Sequence, residues 1–167
     1  MGVFSILAET FRYPAPGRQQ MLEKQLQSLQ HGAARDHLEC FMTRLKKLRL
    51  NEWEELYTST LDLNPDTPPY IGYMIWGDYY MRGRFLAQLN HAMQEASIDL
   101  DGELPDHLVP VLRYLDRVPD PIEELKAVLV PAVQAMVDSL AKIDPNNLYL
   151  EPLTATLEAS GWMEEVH

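Results

Sequence analysis

The chain has 167 residues, 46% of them apolar, which fits one globular domain spanning residues 1–167 and able to bury about 70% of its unfolded surface. Its formal net charge is −11, and the imbalance lies in residues 61–167, with 6 Lys/Arg against 18 Asp/Glu, while residues 1–60 carry 8 against 7. With so few cations against this acidic surplus nucleic acid is not an expected partner, and a single cysteine, Cys40, excludes an internal disulfide and any multi-cysteine zinc or iron–sulfur site.

The first nine residues, Met1 to Glu9, offer no basic region before an apolar run and meet an acid too early for a signal peptide. The longest uncharged apolar-rich runs, 67–77 and 127–137, fall short of the roughly 20 residues that span a bilayer. A cytoplasmic protein with no stable membrane insertion is expected. With 25 Leu against 15 Val plus Ile, the apolar content favours helix over strand.

Helical periodicity begins with Leu22, Leu26, Leu29 and Ala33, and continues with Leu38, Met42, Leu45 and Leu48. Cys40 falls within the second pattern and reads as a buried structural thiol, while Arg44, Lys46, Lys47 and Arg49 read as a solvated helix face. Asn51 with Glu54 predicts a capping box opening a short helix through Trp53, Leu56 and Tyr57.

Residues Leu61 to Tyr70 then resist helix, because each proline fixes its own φ and disfavours α geometry in the residue before it. An aromatic load follows at Tyr70, Tyr73, Trp76, Tyr79 and Tyr80. On residue pattern alone this segment is either a recognition surface or a tightly packed interhelical connection.

Asp78 is the predicted cap of a long helix whose buried stripe is Tyr79, Gly83, Leu86, Leu89 or Asn90, and Met93, with Gly83 admitting a second backbone. Asp78 and Arg82, four apart, are placed to pair along that helix. The next stripe is Leu104, Leu108, Val111, Leu115 and Val118, with Pro105 in the first turn and Pro110 either kinking the helix or delaying its start. Asp120-Pro121-Ile122-Glu123 predicts the start of a helix carrying Ile122, Leu125, Leu129, Val133, Met136 and Leu140, kinked at Pro131. A last helix is expected from about Asn147 to Ser160, stopped by Gly161. The fold class is therefore all-α, a single-domain bundle of about seven or eight helices.

No nucleophile motif, Walker loop or dinucleotide fingerprint occurs. Glu103, Asp106 and His107 form the best ionisable cluster, suited either to metal or acid–base work or to a helix N-terminus, where acids oppose the dipole. His31, His37, His91 and His167 show no ligand spacing, so no metal and no cofactor is expected.

The ordered set Tyr57-x3-Leu61-Asp62-Leu63-Asn64-Pro65, Tyr70-x2-Tyr73, Gly77-Asp78 and Arg82-Gly83 resembles the nitrate reductase delta subunit (NarJ-type) assembly chaperones, relatives of the TorD-like chaperones of molybdenum enzymes. Glu103-Leu104-Pro105-Asp106-His107-Leu108 is similar to the Glu-Pro-x-Asp-His region of that wider superfamily. The matched span runs over roughly residues 53–118; Leu61 stands where the pattern usually has Phe, and Leu104 offsets Glu103 from Pro105.

The resemblance implies a non-enzymatic helical chaperone. Its implied partner is the N-terminal segment of an immature molybdenum-containing catalytic subunit, kept competent for cofactor insertion. The implied peptide-contact residues are Tyr57, Asp62, Tyr70, Tyr73, Trp76, Asp78, Arg82, Asp106 and His107, with Asn64, Pro65 and Gly83 shaping the site. Two other readings stay open from the residues themselves: a helical interaction or scaffold module without chaperone activity, and a small metal-dependent hydrolase built on Glu103, Asp106 and His107.

Overall fold

A computed structural model describes residues 2–166; Met1 and His167, both named above, lie outside the described residues. Nine α-helices form the described chain: α1 Val3–Thr10, α2 Arg18–Gln27, α3 Ala33–Leu45, α4 Leu50–Tyr57, α5 Ile71–Trp76, α6 Tyr80–Glu95, α7 Leu108–Arg117, α8 Glu123–Ile143 and α9 Leu150–Ser160. A π-helical turn, Thr58–Asp62, follows α4, and a 3₁₀ segment, Gly161–Val166, follows α9. No strand occurs among the described residues, so the fold is all-α. No helix there is long and apolar enough to cross a membrane.

The main packing joins α3 to α9, α1 to α7, α8 to both α9 and α5, and α2 to α3. Leu7, Phe11, Phe41, Leu45, Ile71, Leu89, Leu112, Leu129 and Tyr149 are buried in one contiguous core. Aromatic polar ends inside it are satisfied: Trp53 Nε1 donates to the Tyr149 hydroxyl at 2.9 Å, and the Tyr57 hydroxyl donates to the Phe11 carbonyl at 2.9 Å. Burial pushes the Tyr57 and Tyr149 hydroxyls well above their usual range, so both stay protonated at every physiological pH.

Long apolar stripes behave as periodicity predicts. Leu125, Leu129, Val133, Met136 and Leu140 are buried along α8, and Pro131, exposed, sits within that helix. Pro110 delays α7 rather than breaking it, occupying the third helical position, where its missing N–H has no intrahelical partner to lose. Leu104, expected on that stripe, is consequently outside the helix and 47% exposed.

Cap positions differ from expectation by a few residues. α4 begins before Asn51, and it is Glu52 Oε1 that accepts from the Arg49 backbone N–H at 2.9 Å. α8 starts after Ile122 rather than Asp120, because Asp120 and Glu123 instead hold the Lys126 ammonium at 2.7 and 3.0 Å. The end of α9 falls where expected, at Ser160 with Gly161 as its C-cap at φ −57°, and the chain continues from there as 3₁₀.

Cys40 is exposed rather than buried, since the core face of α3 is taken by Leu38, Phe41, Met42 and Leu45, and position 40 lies on the opposite side of the helix. Arg44, Lys46, Lys47 and Arg49 are all exposed, as the solvated-face reading requires.

Candidate functional site

The proline segment is a built turn. Asn64 Oδ1 accepts from the Asp66 backbone N–H at 3.0 Å, and the Thr67 N–H reaches the Asn64 carbonyl at 3.4 Å, so Asn64, Pro65, Asp66 and Thr67 make a β-turn with Pro at its second position. The Thr67 hydroxyl donates to the Thr60 carbonyl at 2.8 Å, one of the acceptors the π-turn leaves free. Asn147 Nδ2 donates to Thr60 Oγ1 at 3.0 Å, tying the turn to the chain ahead of α9. Asn64 and Pro65 shape this loop as expected. Asp62, the last residue of the π-turn, is delivered to the surface beside it.

After the turn, Pro69 and Tyr70 run antiparallel to Asp106 and His107. The Leu108 N–H donates to the Pro69 carbonyl and the Ile71 N–H to the Asp106 carbonyl, each at 2.9 Å. This bridge joins two motifs separated by more than 30 residues. It also places the Asp106 carboxylate over the start of α5, where Oδ2 accepts from the Gly72 N–H at 3.1 Å.

Gly72 is the close-approach glycine of this site. A Cβ there would lie 2.7 Å from Asp106 Oδ2, 3.1 Å from Phe85 and 3.3 Å from Arg82. Gly83, expected in that role, faces open space on the exposed side of α6. The stripe of α6 is rotated from the expected one: Phe85, Leu89, Ala92 and Met93 are buried, whereas Tyr79 is 58% exposed.

Arg82 does not pair with Asp78. Its Nε and Nη2 donate to Asp106 Oδ2 and Oδ1 at 3.0 and 3.2 Å, a bidentate contact with a carboxylate that is fully buried. The same guanidinium lies 5.7 Å from the Tyr70 ring centre and 5.5 Å from that of Tyr73. A planar cation with two aromatic neighbours and a bidentate carboxylate is held by three groups. Asp78 is exposed in the turn after Gly77 and does not cap α6, whose N-cap is Tyr79.

Tyr70 is the hinge of the cluster. Its hydroxyl donates to Glu103 Oε2 at 2.8 Å, and its ring meets His107 edge-on, with centroids 5.1 Å apart. Burial, together with the carboxylate acceptor, pushes the hydroxyl up to about 12.

His107 is buried and caps α7. Its Nδ1 accepts from the Val109 N–H at 3.0 Å, so the proton of the neutral ring is on Nε2. Burial depresses its pKa below the ordinary value, with Glu103 and Asp106 opposing the shift.

A cleft of about 380 Å³ opens beside these residues, lined by Tyr57, Asp62, Glu103 and His107 on one side. The opposite wall comes from the α1–α2 connection, with Phe11, Arg12, Tyr13 and Arg18. Tyr13 packs edge-on against Tyr57 at 5.3 Å. Arg12 is engaged by Glu9 at 3.0 Å and Asp101 at 3.8 Å, and Arg18 donates to the Tyr13 carbonyl. Asp62 has no cationic partner among the described residues, and burial, reinforced by Glu103, raises its carboxyl pKa. A cationic group entering beside Asp62 would relieve that repulsion, while Arg18 on the facing wall is held by a carbonyl and has no carboxylate partner among the described residues.

Of the expected contact residues, the structure brings Tyr57, Asp62 and His107 to the cleft, and Tyr70, Tyr73, Arg82 and Asp106 into the cluster behind it. Trp76 turns away, packing against Phe85 with centroids 5.3 Å apart in a separate groove, and Asp78 stands apart. Sequence reasoning missed the wall from α1 and α2. The signal was present in Arg12-Tyr13-Pro14-Ala15-Pro16, which repeats the combination of aromatic, charge and proline found at 61–70. Glu103, Asp106 and His107 direct their hydrogen bonds to Tyr70, Arg82 and Val109, and no group of three or more His, Cys, Asp or Glu among the described residues is arranged to hold a metal ion.

Protonating His107 removes the lone pair that caps α7. Because its folded pKa lies below the unfolded value of about 6.5, stability is complete above that pH and declines as pH falls towards the folded pKa. His107→Asn keeps a capping oxygen but does not titrate. Urea midpoints measured between about pH 5 and pH 7 are expected to vary less in the variant than in the parent; equal slopes would remove His107 as a source of acid sensitivity. Neither a scan against protein-family models nor a search of curated proteins returned a match to this chain.

Proposed function

We propose that this chain is a dedicated assembly chaperone for a molybdenum-containing, nitrate-reductase-like catalytic subunit. In this reading it binds the N-terminal segment of the immature subunit and keeps it competent for cofactor insertion. The observation that carries the reading is the bridge between Pro69-Tyr70 and Asp106-His107. The two stretches that resemble the chaperone family are far apart in sequence, yet they are hydrogen-bonded neighbours at the edge of one cleft. A cleft with aromatic walls and an uncommitted carboxylate suits an extended or helical peptide bearing a basic side chain. Asp62 and Glu103 are the residues assigned to that basic side chain, with Tyr13 and Tyr57 against its apolar neighbours.

Calorimetric titration with a synthetic peptide of the catalytic subunit's N-terminal segment tests this. Saturable binding is expected, weakened about tenfold by Asp62→Asn with Glu103→Gln, as loss of a hydrogen bond to a charged group predicts. Glu103→Gln retains an acceptor for Tyr70, so the cluster behind the cleft should survive. Absence of binding at millimolar peptide would overturn the proposal.

A further inference from the structure

Beyond the cleft, and sharing none of its lining residues, a second groove of about 230 Å³ runs between α6 and the start of α8. Trp76, Phe85 and Val128 supply its apolar lining, and Arg84 on α6 faces it from one wall and Glu124 on α8 from the other. Neighbouring charges are satisfied within the chain: Arg82 by Asp106, and Lys126 by Asp120 and Glu123. Arg84 and Glu124 are exposed, form no ion pair with each other, and have no other side-chain partner among the described residues. Ile75, Tyr79 and Tyr80, which flank Trp76 in the chain, are 40%, 58% and 66% exposed, and the two tyrosine rings lie 4.6 Å apart.

We propose that this groove is a two-fold self-association surface in which Arg84 of each copy pairs with Glu124 of the other. A two-fold interface uses one patch twice, so the patch must contain both members of every complementary pair. This groove does: an apolar centre, one cation and one anion on opposite walls. Exposed aromatics beside a partly apolar floor match the composition of interface centres, where tyrosine, tryptophan and arginine are enriched. The pairing also gives a local attraction that short-range screening preserves while it weakens the repulsion between two chains of net charge −11.

Sedimentation analysis of the full chain at about 0.15 M salt, with protein up to about 1 mM, decides the matter. A reversible monomer–dimer equilibrium is expected. Arg84→Glu and Glu124→Arg should each weaken it about tenfold or more, since each turns two attractive contacts into two repulsive ones. Mixing the two variants should restore dimer, because each then presents the charge that the other needs. Both side chains are exposed, so Arg84→Glu should unfold with the parent and Glu124→Arg, which loses an acid from the first turn of α8, only slightly below it. A chain that is monomeric throughout, a dimer indifferent to both reversals, or no recovery on mixing would each overturn the proposal. Peptide titration of the Arg84→Glu variant keeps this separate from the chaperone reading: unchanged peptide affinity is expected, since Arg84 does not line the cleft.

Discussion

Asp106→Ala is expected to cost about 3–5 kcal/mol of folding stability, the range for removing one partner of a buried ion pair. The reason is what the carboxylate holds. It is fully buried, takes both arms of the Arg82 guanidinium, and accepts the Gly72 N–H at the start of α5. Truncation strands a guanidinium whose side chain is 17% exposed between Tyr70 and Tyr73, and leaves the Gly72 N–H without its acceptor. Asp106→Asn retains an acceptor and the shape, so its cost should be smaller, about 1.5–3 kcal/mol. Urea denaturation at neutral pH measures both. An Asp106→Ala variant within about 1 kcal/mol of the parent would show that the stranded guanidinium finds water and that the pair contributes geometry without net stability.

Gly72→Ala and Gly83→Ala are expected to have opposite signs. At Gly72 the added methyl meets the Asp106 carboxylate at 2.7 Å, and that carboxylate is held on both oxygens and cannot swing aside. Phe85 at 3.1 Å and Arg82 at 3.3 Å close the remaining directions. Overpacking of this kind costs about 1–3 kcal/mol, which outweighs alanine's helix preference in a six-residue helix. At Gly83, exposed within the sixteen-residue α6 and with nothing within 4 Å of its would-be Cβ, only the helix preference acts. A gain of about 0.5–1 kcal/mol is expected there. The same urea titration resolves the two; equal effects at both positions would mean that the contact at Gly72 relaxes at no cost.

Both expectations describe a rigid support rather than a contact surface. Asp106, Arg82 and Gly72 lock α5 and α6 to the turn before α7, and Tyr70 relays that fixed geometry to Glu103 and His107 at the cleft edge. A weakened support should therefore reduce peptide affinity through loss of preorganisation, with Asp62 and the rest of the cleft chemically intact. The proline turn at Asn64–Thr67 acts on the other margin, where it presents Asp62 from the end of the π-turn.

Much of the fold was legible in the residues because helical periodicity is a local property. The stripes of α2, α3, α7 and α8 are the ones that Leu22 and Leu26, Leu38 and Met42, Val111 and Leu115, and Leu125 to Leu140 predict. Two helices went unforeseen, α1 with eight residues and α5 with six, because a run of that length spans too few turns to reveal a period. Cap positions erred at Asn51 and Asp120 for a common reason. A polar side chain near a helix start is a cap only if nothing better claims it or the chain, and Glu52 took the cap role in α4, while Asp120 went to Lys126.

The site divides along the same line. By itself the sequence determined the all-helical class, the non-helical proline segment, its aromatic density and the acidic balance of residues 61–167, all of which follow from neighbours in the chain. Only the tertiary structure decided that Arg82 belongs to Asp106 rather than Asp78, that Gly72 and not Gly83 is the point of close approach, and that Tyr13 and Arg18 complete the cleft. The physical reason is competition. An exposed pair four residues apart on a helix is worth a few tenths of a kcal/mol, whereas a buried carboxylate left unpaired costs several, so the distant partner wins and the local pattern yields.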